Sequence, residues 1–448
     1  MKRLCLLLLT MLALLPVGAQ IRGNSIIVTV EPDHQDWNYR VGETATFTVE
    51  VRRSGTLVRD VSIDYAAGPE MYQDVKKSVT LKDGTLRLTG TMSQPGFYRV
   101  DVTAHVGGKD YRGACAAAFS PEKLQPSTVM PQDFEAFWHQ AIKEARYTAL
   151  EPTKRLLPER CTKDVNVYEV SFQNVRWNSR TYGILCVPVV GEASKLCMDV
   201  DASKRRQLYP ALLRVPGAGV RPYQGDVWTA SQGIITLEIG IHGIPVTMEQ
   251  KVYDDLANGA LNGYWNYGTD DRDQSYYKRV VLGCIRAIDY LEQYTAWNGR
   301  QLGVTGSSQG GFLSLATAGL DKRVTCYAPV HAAMCDYTNA LAGKACGWPH
   351  YFYKELGSKE VKEMGSKIEA TRYYDGVNFA RLITDRQEGW FSFGYCDDVV
   401  PPTTAYATYN TVKGPKHLSP YQATWHFWFQ EQWDEWEAWL LDRLKNED

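Results

Sequence analysis

The strongest chemical signal in the chain is Gly306-Ser307-Ser308-Gln309-Gly310, a G-x-S-x-G pattern. Before it, Gln301-Leu302-Gly303-Val304-Thr305 reads as a short buried strand. After it, Gly311-Phe312-Leu313-Ser314-Leu315-Ala316-Thr317-Ala318 reads as a helix. Five residues of this type also fit a plain Gly/Ser-rich loop. The strand–helix context is what selects a nucleophile, with Ser308 on a sharp turn that needs tiny neighbours. The helix N-terminus then aims backbone N–H groups at whatever the serine attacks. A serine hydroxyl is a poor nucleophile near neutral pH. It requires a base to take its proton and an acid to hold that base.

Histidines are few, eight in 448 residues. Beyond Ser308 lie only His331, His350, His417 and His426. In hydrolases built around such a turn the chain order is Ser, acid, His. The acid should follow a late strand, and Phe391-Ser392-Phe393-Gly394 is followed by Asp397-Asp398 and then Pro401-Pro402. That order leaves His417 and His426 as bases. His417 starts a final strand and could be a surface residue. His426 lies between that strand and the last helix, where a base belongs, although Trp425, Phe427, Trp428 and Phe429 around it also suit a histidine of an aromatic cluster. For the oxyanion hole, one donor is the N–H of Gln309. The other should come from the glycine-rich loop Pro216-Gly217-Ala218-Gly219-Val220, with Ala218 N–H the candidate and Gly217 next.

These residues need a scaffold, and the chain alternates strands and helices from about Asn166 onward. Residues 167–172, 181–187, 209–215, 233–239, 324–330 and 389–394 read as strands, and 277–294 as a helix. This alternation implies a mostly parallel sheet covered by helices. Residues 21–120 read instead as short alternating strands, including an expected hairpin at Asp83-Gly84, and imply a small all-β, immunoglobulin-like sandwich. Residues 121–131, with Pro121, Pro126 and Pro131, read as a linker to a catalytic domain over 132–448. A helix opens at Asp133, a reasonable cap, with Phe134, Phe137 and Trp138 on one face. Residues 1–19 read as a signal peptide: a basic start, an apolar run too short to span a bilayer, and small residues before Gln20. Export is therefore expected, with no membrane span.

Lys and Arg total 49 against 51 Asp and Glu, a net charge of −2. With no basic stripe, nucleic acid is not an expected partner. The ten cysteines show no C-x-x-C pair. Beyond Cys5 they number an odd set, and most read as small buried hydrophobes. No His/Cys/Asp/Glu cluster has metal-ligand spacing, so neither metal nor cofactor is expected.

From Asp133 to the C-terminus the chain resembles the acetyl xylan esterase and cephalosporin C deacetylase family of α/β-hydrolases. The resemblance rests on Asp133-Phe134-Glu135-Ala136-Phe137-Trp138, Tyr182-Gly183-Ile184-Leu185 with Pro188, and Tyr276-Tyr277-Lys278-Arg279. It rests most specifically on Gly306-Ser307-Ser308-Gln309-Gly310-Gly311 and on Gly394-Tyr395-Cys396-Asp397 with Pro401-Pro402. It implies an α/β-hydrolase with Asp397 as the acid and His426 as the base. The chain departs from the family at Pro216-Gly217-Ala218 (usually His-Gly-Tyr), His242-Gly243-Ile244 (usually Arg-Gly-Gln) and Phe427 (usually Glu).

The chain is also similar to exported Bacteroidetes members that act on pectin methyl esters. Arg214, Arg221 and His242 flank the expected active edge and could receive galacturonate carboxylates, and Tyr264 and Trp265 could stack on a sugar. The leading expectation is thus an exported serine esterase of plant polysaccharide, leaning to methyl-esterified galacturonan. O-acetyl esterase is the alternative, followed by a peptidase or a non-catalytic glycan-binding protein. Oligomeric state has no signature in the sequence.

Overall fold

A computed structural model of the chain describes residues 24–189, 209–294, 296–353 and 358–446. The expected signal peptide lies outside these.

Residues 26–119 form two facing sheets. One is four-stranded, Ile26–Pro32, Ala45–Arg53, Thr56–Leu57 and Thr85–Gly90. The other is five-stranded, Asn38–Tyr39, Lys109–Phe119, Gly96–Val106, Val61–Pro69 and Val75–Leu81. Alternate residues of the long strands, such as Phe47, Val49 and Val51, face Ile63, Val100 and Val102, as period-two strands must if one face is to be buried. The hairpin expected at Asp83-Gly84 does not form. Val75–Leu81 pairs with Val61–Pro69, and Thr85–Gly90 crosses to pair with Ala45–Arg53. A Cβ on Gly84 would lie 2.6 Å from the Val58 carbonyl. The glycine is needed for this crossing turn rather than for a hairpin.

Residues 121–131 lie packed along the body that follows. Pro121, Leu124 and Thr128 are buried, and the Ser127 and Thr128 N–H groups donate to the Asp336 carboxylate at 3.0 and 2.8 Å.

The second sheet has nine strands: β1 Thr153–Leu156, β2 Val165–Gln173, β3 Arg180–Pro188, β4 Tyr209–Arg214, β5 Ile235–Gly240, β6 Trp297–Ser307, β7 Cys326–Val330, β8 Glu388–Phe391 and β9 Lys416–Leu418. Their order is β1-β2-β3-β5-β4-β6-β7-β8-β9, antiparallel from β1 to β5 and parallel from β5 to β9. Helices α1 (Phe134–Arg146), α2 (Tyr276–Gln293), α3 (Gln309–Leu320), α4 (Pro402–Thr411) and α5 (Gln430–Lys445) surround it. Successive strand residues point to opposite faces. Leu213, Leu237, Val304 and Tyr327 pack beneath α1–α3, while Leu212, Cys326, Ala328 and Val330 meet Trp436, Leu440 and Leu444 of α5. Strands buried on both faces are why β4–β7 read as continuous apolar runs. The fold is an α/β-hydrolase behind an all-β sandwich. Asp133 makes no capping bond to α1. Its carboxylate takes Arg272 and Tyr373 instead. The eight described cysteines are free thiols. No helix among the described residues is long and apolar enough to cross a membrane.

Sandwich and hydrolase body share a small core of their own. Phe97, Ala116, Ala118 and Leu124 pack on Phe393, Tyr395, Ala405 and Tyr406.

Candidate active site

In a parallel sheet, loops leaving the carboxyl ends of adjacent strands converge. Here β6 leads into Ser308, β7 into His331, β8 toward Asp397 and β9 toward His426, so four chemically competent residues follow the carboxyl ends of four adjacent strands.

Ser308 has φ 60° and ψ −122°, a conformation β-carbon residues seldom adopt and one held only by its surroundings. A Cβ on Gly306 would lie 2.3 Å from the Val215 carbonyl, and one on Gly310 2.4 Å from the same atom. Any side chain at either position would force the turn off β4. Backbone bonds tie the turn down: Ser308 N–H donates to Val330 O at 2.9 Å, and Ser308 O accepts from Ala333 N–H at 3.0 Å.

Asp397 is fully buried and saturated with donors. Oδ1 accepts from the N–H groups of Val399 and Val400 at 2.9 and 2.8 Å. Oδ2 accepts from His426 Nδ1 at 2.7 Å and from His331 Nδ1 at 3.1 Å. Burial alone would raise the carboxyl's pKa, but the bonds from His331 and His426 outweigh it and hold the group at about 2. It is a carboxylate at any working pH and accepts only, so both imidazoles carry their proton on Nδ1. With Nδ1 of His426 bonded to the carboxylate, Nε2 is the nitrogen left to take a proton. The acid and base loops are also stitched to each other. Cys396 N–H donates to Thr424 O at 3.1 Å, and a Cβ on Gly394 would sit 1.9 Å from that oxygen.

His331 is the site residue that sequence reasoning missed. It precedes the acid, so the Ser–acid–His order sets it aside. It is buried, has φ 45°, and its Nε2 lies 3.5 Å from Gln432 Nε2. No local motif marks it. Only the adjacency of β7 and β8 brings it to Asp397. His331, Asp397 and His426 offer ligand atoms within 4.8 Å of one another, close enough for a metal ion to compete for the same nitrogens. His417 lies within β9 and is exposed.

The expected oxyanion donors flank the serine. Gln309 opens α3, and a Cβ on Gly217 would be 3.9 Å from Ser308 Cβ. Neither Gln309 N–H nor Ala218 N–H has an acceptor among the described residues. The Gln309 side chain is buried under the loop. Its Oε1 accepts from the Tyr264 and Tyr277 hydroxyls at 2.6 and 2.9 Å, and its Nε2 donates to Pro216 O at 3.2 Å.

The residues expected to bind substrate have other work. Arg214 is paired with Asp226 at 2.5 Å and lies over the Trp436 ring, because strand alternation turns it toward α5. His242 donates from Nε2 to Gly219 O at 2.9 Å and accepts on Nδ1 from the Tyr276 hydroxyl at 2.7 Å. Burial pushes it down to about 4, so it is neutral and spent, not a receptor for carboxylates. Tyr264 is buried, bonding Gln309 and the Gly219 N–H, and offers no face to a sugar. Trp265 is half-buried against Trp348. Arg221 is exposed but folds back, Nη2 to Gly217 O at 3.1 Å and Nη1 to Ala218 O at 3.2 Å. Arg221, His242 and Tyr264 thus brace the loop at 217–219. Of the three, His242 stands at a position where the sequence departs from the family pattern.

Fold and site define a carboxylic ester hydrolase of the α/β-hydrolase class. The chain belongs to the acetyl xylan esterase (AXE1) family, which it matches over residues 121–442. It is 36% identical over 415 residues to acetyl esterase Axe7A of Xylanibacter ruminicola, covering 90% of this chain and 88% of that protein. That match is longer than the hydrolase part and so takes in much of the sandwich. Two solved structures share the fold. Acetyl xylan esterase from Paenibacillus sp. R4 has TM-score 0.60 and 24% identity, covering 72% of this chain and 98% of its own. Acetyl xylan esterase 1 from Thermoanaerobacterium sp. JW/SL YS485 has TM-score 0.59 and 21% identity, covering 72% and 97%.

Proposed function

We propose that this protein removes O-acetyl groups from a plant cell-wall polysaccharide of the xylan type. Ser308 Oγ attacks the acetyl carbonyl carbon as its proton passes to His426 Nε2. Asp397 steadies the imidazolium that results, and the N–H groups of Gln309 and Ala218 hold the oxyanion. Collapse breaks the bond to the sugar oxygen, which leaves with the proton from His426. Water, activated by the same histidine, then releases acetate from the acyl-serine. The observation that carries this reading is the donor set on Asp397: His426 bonds the buried carboxylate through Nδ1, which keeps Nε2 for the proton, and Ser308 sits in a strained turn at the carboxyl end of β6 in the same sheet. The substrate class follows what the relatives are named for. The methyl-galacturonate expectation loses its motive, because Arg214 and His242 are bonded within the protein and Arg221 is folded onto the loop. Export by a leader at residues 1–19 is part of the proposal.

The test is product release. Acetate should appear from acetylated xylan, with little methanol from methyl-esterified pectin. Ser308→Ala and His426→Ala should each lose about 10⁴-fold or more in kcat. Methanol from pectin with no acetate from xylan would reverse the choice of ester. An active Ser308→Ala would overturn the serine mechanism.

A further inference from the structure

We propose that Arg99, from the N-terminal sandwich, is a positioning residue for the hydrolase site, clamping the acid's loop and the base's loop from a separate sheet. The inference rests on the roles given above to Asp397 and His426.

Arg99 lies in the sandwich strand Gly96–Val106 and is 5% exposed. Its Nε donates to both oxygens of Asp101 at 3.0 and 2.9 Å, which fixes the plane of the guanidinium. From that anchor Nη1 donates to Cys396 O at 3.0 Å, the carbonyl of the peptide that leads into Asp397. The guanidinium also lies 5.4 Å from the ring centroid of Trp425, the residue before His426. One cation thus touches the neighbour of the acid and the neighbour of the base. The same sandwich face adds Ala114 O, which accepts from Cys396 Sγ at 3.5 Å, and Phe97, packed edge-on against Tyr395 at 5.0 Å.

The sheet alone gives these loops little support. β8 has four residues and β9 three, so few ladder bonds lie beneath them. The Cys396–Asp397 peptide sets where the carboxylate points. If it turns, the bond to His426 Nδ1 is lost along with those from Val399 and Val400. Displacing a catalytic group by about 1 Å can cost 10²-fold in rate. Nearly the whole of each solved acetyl xylan esterase is matched by 72% of this chain. The α/β-hydrolase fold therefore forms without most of what remains here, and the coupling belongs to this chain and to relatives that carry the sandwich.

The test compares Arg99→Met and Arg99→Lys in the full-length protein, using a small neutral ester such as p-nitrophenyl acetate. Competent sites are counted by titration with a serine-directed phosphonate. Turnover per titrated serine should fall about 10- to 100-fold in Arg99→Met with KM within about twofold. Arg99→Lys should recover part of the loss, because an ammonium can still donate to Cys396 O or face Trp425. Turnover per titrated site within twofold of wild type in Arg99→Met would overturn the proposal, since a residue needed only for folding lowers the number of sites and not their rate. Arg99→Lys no better than Arg99→Met would overturn it as well. Asp397→Ala and His426→Ala, assayed alongside, test the underlying assignment separately.

Discussion

Replacing Asp397 with asparagine changes one atom and should be more damaging than truncation. Oδ1 accepts from two backbone N–H groups, those of Val399 and Val400. An amide must therefore place its oxygen on that side and its NH₂ where Oδ2 stood. That NH₂ would point at the Nδ1 atoms of both His426 and His331, 2.7 and 3.1 Å from the present oxygen. Each Nδ1 would have to accept, which moves the imidazole proton to Nε2 and leaves Ser308 facing a donor. The wrong tautomer costs about 10⁴-fold in kcat, roughly 5.5 kcal/mol at 1.36 kcal/mol per decade. Asp397→Ala forces no tautomer and loses orientation and charge only, so a smaller loss than in Asp397→Asn is expected. Steady-state kinetics on p-nitrophenyl acetate, normalised to titrated serine, compares the two. The tautomer argument fails if the asparagine variant keeps more than about a tenth of wild-type turnover, or is faster than alanine.

Arg221→Ala should lower kcat on small neutral esters about 3- to 10-fold with little change in KM, because Arg221 braces the peptide that carries the Ala218 N–H. A rise in KM confined to carboxylated substrates would instead make Arg221 a substrate receptor. Glu70 is buried at the junction of sandwich and hydrolase. Burial raises its pKa to about 8 from an ordinary 4.5, against the opposing pull of Thr403 and Arg99. The folded state thus binds this proton more tightly than the unfolded chain, so the stability it contributes is complete below about 4.5 and is lost as pH rises through 8. Glu70→Gln should flatten that decline, seen as a higher melting temperature than wild type at pH 9 and not at pH 5. Chelation should leave activity intact, whereas added zinc or copper(II) should inhibit by taking the imidazoles of His331 and His426 from Asp397. Activity lost to EDTA and restored by zinc would contradict this.

The sequence by itself determined those features whose cause is local. Gly306 and Gly310 are required because any Cβ would strike Val215 O, so the serine turn is written in five adjacent residues. Strand and helix positions from β2 to α3 follow from apolar runs that must be buried on both faces, and the order of Ser308, Asp397 and His426 follows from the path of the chain. What tertiary structure alone decided are partnerships between distant segments. His331 joins Asp397 across 66 positions, and Arg99 reaches Cys396 across 297. Arg214, His242 and Tyr264, which looked available to substrate, are taken by Asp226, Gly219 and Gln309. The Asp83-Gly84 turn reads as a hairpin yet serves as a crossing. In each case the local sequence states what a side chain or turn is able to bond. Packing of sheet on sheet states which partner is within 3 Å, and a buried donor or acceptor must take the one it is given.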